Sequence, residues 1–205
     1  MKYKCYGHFY PLRELSFRDV LLISDVENIS DNFVVDLLVV MMNPGSSEPL
    51  NTNDKITVFS KECVLTKPDN TQSQVMEVMT ENGYGTAVVI NLSDVREPKS
   101  SHFSRKLKGL SFGSVGEKHS LFSEQRYEEL SGIIDKCGSC PVIFASGVNY
   151  KLRFLTREAI SKFEDNRIIG IKNLKDLFYH PLPRSKQKQE EWVDEINRQI
   201  RHSAS

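Results

Sequence analysis

The sequence predicts an α/β fold, a three-layer α/β/α sandwich around a mainly four-stranded parallel sheet. Three observations lead there. Short apolar runs at Val34–Met42, Thr86–Ile90 and Pro141–Ala145 each stop at turn residues: Asn43-Pro44-Gly45, Asn91 and Ser146-Gly147. The runs are nearly continuous rather than alternating, the mark of strands buried on both faces. Between them lie segments with helical spacing, and strands alternating with helices imply parallel pairing through covering helices.

Taken in order, residues 1–33 are mixed, aromatic-rich at first, with Phe17–Ser24 as a strand; they read as an N-terminal extension packing on the domain. Val34–Met42 is the first central strand. Residues 71–82 place Val75, Met76, Val78 and Met79 at helical intervals, with Gly83 as a C-terminal cap. Thr86–Ile90 is the next strand. Residues 99–120 are Ser/Gly-rich and basic, either a long functional loop or a pair of short strands. Ser123 starts a helix to about Lys136, with Tyr127, Leu130, Ile133 and Ile134 on one face. Pro141–Ala145, a helix over 149–163, a strand at Arg167–Ile171 and a terminal amphipathic helix at 186–201 around Trp192 complete one domain, 1–205.

Composition narrows the function. The chain has 205 residues, 39% of them apolar, with 27 basic residues against 27 acidic, so no overall charge marks a nucleic-acid binder. The balance is uneven, however. Residues 31–98 carry ten acids and four bases, whereas residues 99–189 carry seventeen bases and nine acids. A basic half offers an anion-binding face or a solvated surface. The apolar runs are too short to cross a bilayer, and no apolar leader follows Met1. The expectation is a cytoplasmic chain with reduced thiols and no membrane partner. Cys137-Gly138-Ser139-Cys140 suggests a redox pair or half a metal site, but Cys5 and Cys63 stand alone, and the spacing favours a tight turn with two buried thiols. No metal or cofactor is implied.

In open parallel sheets, ligands bind beyond the carboxyl ends of the strands. Here those ends carry Asn43-Pro44-Gly45, Asn91-Leu92-Ser93-Asp94, Ser146-Gly147-Val148-Asn149 and His180-Pro181-Leu182-Pro183-Arg184. No nucleophile elbow, phosphate-binding P-loop or dinucleotide fingerprint is present. Amides with one imidazole suit polarising a water and reading a nucleobase edge.

These segments resemble the uracil-DNA glycosylase superfamily. Met42-Asn43-Pro44-Gly45 looks like its first motif, Val88–Leu92 like the second strand, Val142–Gly147 like the third, and His180-Pro181-Leu182-Pro183 like its His-Pro-Ser-Pro. A closer resemblance is to a bacterial and phage family, the domain-of-unknown-function 1643 group. Its pattern appears in order as Asn43–Gly45, Asp54 with Thr57, Gly83–Gly85, Asn91-Leu92, Arg96 with Pro98, and His180-Pro181. Met41 replaces a glycine of the glycosylase motif and Leu182 a serine.

The resemblance implies a DNA glycosylase-like hydrolase acting on a modified or deaminated base in DNA. Asn43 would polarise the attacking water and His180 would stabilise the departing base. Asn91 would read the base edge, with Phe59, or else Tyr84, as aromatic platform. Pro44, Gly45, Asp54, Thr57 and Arg96 would line the substrate site, although Asp54 and Thr57 also suit a helix start. Arg184 stands where a wedge residue is expected, and Arg105, Lys106, Lys108, Lys151 and Lys186 would track phosphates. The remodelled positions Met41 and Leu182 keep open a non-catalytic module that binds nucleic acid or protein. The acidic first half keeps open hydrolysis of free nucleotides or nucleosides.

Overall fold

The computed structural model describes residues 2–25, 33–110 and 116–203. Eight strands form one mixed sheet: β1 (Lys4–Leu12), β2 (Leu15–Ser24), β3 (Leu37–Met41), β4 (Lys55–Val58), β5 (Lys61–Thr66), β6 (Thr86–Asn91), β7 (Val142–Ala145) and β8 (Ile168–Ile169). Their order across the sheet is β4-β5-β1-β2-β6-β3-β7-β8. The β6-β3-β7-β8 half is parallel, and β2, β1, β5 and β4 extend it antiparallel. The four parallel strands fall in the three apolar runs and in the strand expected at Arg167–Ile171, but the sheet as a whole is twice as wide. The segment expected as an N-terminal extension supplies two of its strands.

Helices α1 (Asn70–Glu81) and α5 (Lys186–Ser203) cover one face, and α2 (Ser100–Leu110), α3 (Tyr127–Cys137) and α4 (Arg153–Ile160) cover the other. The alternation of each strand divides the core accordingly. Leu37, Val39, Val89 and Ile143 meet Val75, Met79, Trp192 and Ile196; Leu38, Val40, Val88 and Phe144 meet Phe103, Leu130 and Ile133.

Two sequence expectations change. The stretch 99–120 holds a helix, α2, whose Phe103, Leu107 and Leu110 recur at helical spacing and pack on the core; residues 111–115 lie outside the described residues. Asp54 and Thr57 start no helix, because Lys55–Val58 pairs with β5 as an edge strand.

Strand β2 contains a bulge. Two steps along β1, from Gly7 to Phe9, correspond to three along β2, from Leu21 to Arg18. The extra residue reverses the alternation. Leu21 and Ile23 face α1 and α5, yet Phe17 belongs to the opposite core. Arg18 is therefore turned toward the α1 face, where Asp69 and Cys5 are its main electrostatic neighbours.

After β8 the chain passes over the end of the sheet through Gly170. A Cβ at Gly170 would lie 2.7 Å from the Phe144 carbonyl oxygen and 2.5 Å from the Phe178 ring. Gly170→Ala must push this segment outward. The expected loss is about 1–3 kcal/mol, seen as a fall in melting temperature of about 3–10 °C.

Candidate functional site

A cavity of about 390 Å³ opens at the carboxyl ends of the parallel strands, within the size range of small-molecule sites. Four separate segments build it: Met41–Ser46 at the end of β3, Glu97-Pro98 after β6, Gly147–Asn149 after β7, and His180. Arg18 of β2 and Asp69, Thr71 and Gln72 at the start of α1 close it.

Asn43 follows β3 into a tight turn, with Gly45 at φ 63° and the Ser47 amide bonded to the Pro44 carbonyl. Its side-chain Nδ2 donates to the carbonyls of Glu97 (2.7 Å) and Val95 (3.3 Å). Both amide hydrogens are thereby spent, and Oδ1, which has no partner among the described residues, is the atom left to accept from a ligand or water.

His180 ends a loop tied by the Asn173 side chain, which accepts from the Lys175 and Leu177 amides, and anchored by Phe178, whose ring packs tilted against Phe144. The Leu182 amide donates to His180 Nδ1 at 3.1 Å. Nδ1 is thus an acceptor, and the neutral ring carries its proton on Nε2. Burial lowers the imidazole below its usual value, opposed by Asp69, so the ring is a neutral donor at pH 7.

Arg18 is the residue that motif reading misses. It is 2% exposed, and its Nε and Nη1 have no partner among the described residues. Burial lowers the guanidinium to about 10, with Asp69 the main opposing influence, so it remains a cation at neutral pH. The available signal was a charged pair, Arg18-Asp19, inside the apolar run Phe17–Ser24. The two acids of the cavity are otherwise engaged. Asp69 caps α1, accepting from the Gln72 amide at 2.9 Å. Glu97 takes Lys106 at 2.7 Å and the Lys99 amide at 3.1 Å, and the Lys106 bond lowers its carboxyl.

The structure brings together Asn43, Pro44, Gly45 and His180, as the motifs predict. Other expected site residues lie elsewhere. Asn91 is fully buried, with neither side-chain polar atom partnered among the described residues, and does not line the cavity; its register neighbour Met41 does. Arg96 donates to Ser16 Oγ and lies over the Phe9 ring. Asp54 accepts from the Tyr6 hydroxyl, and Thr57 is exposed on edge strand β4. Phe59 packs edge-on against Phe33 beyond that strand. Tyr84 precedes β6 and so sits at the amino end of the parallel strands, opposite the cavity. Neither aromatic can serve as its platform.

Of the expected phosphate contacts, Lys106 is held by Glu97. Arg105 and Lys108 are exposed on α2, and Lys186 lies 3.7 Å from Glu190. Arg184 lines a separate hollow with Asn70. Lys151 is exposed and lines a separate hollow with Lys108, Arg153 and Phe154, in a cluster the sequence reading overlooks. Tyr150 and Phe154 are 51% and 63% exposed, and the Arg153 guanidinium lies 4.4 and 4.1 Å from their ring centroids.

A second hollow, on the α3 side, holds an ion network. Arg126 donates to Asp94, to Asp19 at 3.0 Å and to Glu129 at 2.8 Å. Lys61 bridges Asp19 and Glu129, and His8 Nδ1 lies 2.8 Å from Asp19. Despite burial, His8 and Lys61 hold Asp19 down to about 2; Arg126 and Lys61 do the same for Glu129. Cys137 and Cys140 form a tight turn before β7, at the far end from the cavity. Among the described residues no three metal-ligating side chains cluster, and no helix is long and apolar enough to cross a membrane.

Comparison with protein-family models, curated proteins and solved structures returns no match.

Proposed function

We propose that the chain is an N-glycosidic hydrolase that removes a modified or deaminated base, with DNA as the carrier of that base. The observation that carries this reading is the pairing of Asn43 and His180 in one cavity, each left with the function the reaction needs. An amide does not take a proton, but Asn43 Oδ1 can orient a water toward the anomeric carbon. Water adds there, the carbon–nitrogen bond breaks, its electron pair leaves with the base, and the proton shed by the added water passes through solvent to that base. His180 Nε2–H donates to the charge that gathers on the departing base. The exposed Tyr150 and Phe154, beside Arg153, suit stacking and phosphate contact with a single strand.

The test is release of abasic sites from labelled single- and double-stranded oligonucleotides carrying uracil, G·T, hypoxanthine or a hydroxymethylated pyrimidine. Salt-dependent binding without product from any of them would replace this reading with a non-catalytic module. The pH profile adds a check. Protonation at Nδ1 breaks the Leu182 bond and turns the ring, so activity falls on the acid side. The fall begins below 6.5, because burial lowers the imidazole from that value. His180→Gln keeps a donor without titrating and flattens that limb. A second reading, cleavage of a free nucleotide, is favoured by Arg18.

A further inference from the structure

We infer that Arg18 and the amino end of α1 form a phosphate subsite within the cavity, which takes the terminal phosphate monoester of the substrate. The inference rests on the N-glycosidase reading for the rest of that substrate, but the binding step is separable from the chemistry.

Three observations converge. A guanidinium 98% removed from solvent with no hydrogen bond or ion pair among the described residues is costly unless a ligand completes it. Its main electrostatic partner, Asp69, makes no ion pair with it and is held by the Gln72 amide instead. Second, α1 is a twelve-residue helix whose first turn, Thr71 and Gln72, lines the same cavity. The Thr71 amide precedes the first intrahelical bonds, so it is a donor that favours an anion, as does the helix dipole. Third, the bulge in β2 delivers Arg18 to this face against the alternation of the strand.

The depth of the group selects the ligand. A phosphate joined to sugars on both sides needs two exits from the cavity, whereas a terminal monoester needs one. A planar guanidinium also suits two oxygens of one phosphate. The same phosphate chemistry occurs on a free nucleoside 5′-monophosphate and at the 5′ end of a phosphorylated strand.

The experiment is calorimetric binding to the intact chain of inorganic phosphate, deoxyuridine, deoxyuridine 5′-monophosphate, and one short single strand bearing either a 5′-phosphate or a 5′-hydroxyl. Base release is measured in parallel. The wild type is expected to bind the monophosphate about 10- to 100-fold more tightly than the nucleoside, the worth of charge-assisted hydrogen bonds. Arg18→Met should abolish that difference while leaving the unliganded melting temperature unchanged or raised, since it removes an unpaired buried charge. A merely structural Arg18 would instead lower the melting temperature and leave the ligand preference intact. Preference for the 5′-phosphorylated over the 5′-hydroxyl strand assigns the phosphate to a strand end; preference confined to the free nucleotide assigns it to the mononucleotide. Equal binding of nucleoside and monophosphate by wild type overturns the subsite, whatever the base-release assay shows. Arg18-dependent monophosphate binding with no base release from any substrate upholds the subsite and overturns the hydrolase.

Discussion

Asn43→Ala lowers the rate of base release by about 10²–10³-fold, the usual effect of removing one positioned polar group from a reacting centre. The side chain is doubly anchored, to the Glu97 and Val95 carbonyls, so the water it holds has a fixed place. Alanine removes the acceptor and frees both carbonyls. Single-turnover cleavage separates this from weaker binding, because the loss then falls on the chemical step rather than on substrate affinity. Asn43→Asp keeps the shape but replaces the donor nitrogen with an oxygen that meets two carbonyls, so it is not expected to rescue. An unchanged single-turnover rate in Asn43→Ala would remove this residue from the mechanism.

Arg126→Met has the largest expected effect on stability. The guanidinium serves Asp19, Asp94 and Glu129 together, and Asp94 is fully buried, with only the Tyr10 hydroxyl, 3.4 Å away, as another side-chain hydrogen-bond partner among the described residues. Breaking a buried ion pair from one side costs about 3–5 kcal/mol, and the melting temperature should fall by about 6–20 °C. Acid titration gives the sign. Asp19 and Glu129 sit near 2 in the folded chain, below their unfolded values of about 4. Their contribution is present above pH 4 and is lost as pH falls toward 2. The Glu129 share depends on Arg126, so the deficit of the variant should narrow over that range. Urea unfolding of both proteins between pH 2 and 7 measures it.

Part of this architecture was legible in the sequence for a plain reason. Parallel strands buried on both faces must be apolar throughout, so β3, β6 and β7 stand out, and turn residues mark their ends. The residues beyond those ends, Asn43 and His180, followed from that placement. The antiparallel half was harder. Strand β1 mixes aromatic, charged and small residues because it lies toward the wing of the sheet, and only Phe17–Ser24 read as a strand. Helix α2 was hidden by serine, lysine and glycine, although Phe103, Leu107 and Leu110 keep helical spacing. The cavity lacked its cation in the sequence reading because no local pattern announces a bulge. Asn91 and Tyr84 were misplaced for opposite reasons, one drawn inside the strand and the other left at its start.

The one-residue bulge in β2 also decides how charge is partitioned between the two sides of the molecule. Arg18 and Asp19 are neighbours, and they go to opposite sides. With the extra residue, the cation meets the strand-end cavity and the anion meets Arg126, Lys61 and His8. Were the same residues to carry on the alternation of Leu21 and Ile23 without the bulge, the pair would trade places. Asp19 would face Asp69 and Glu97, and Arg18 would face Arg126 and Lys61. One irregular step in a single strand thus sets the polarity of two compartments on opposite faces of the sheet.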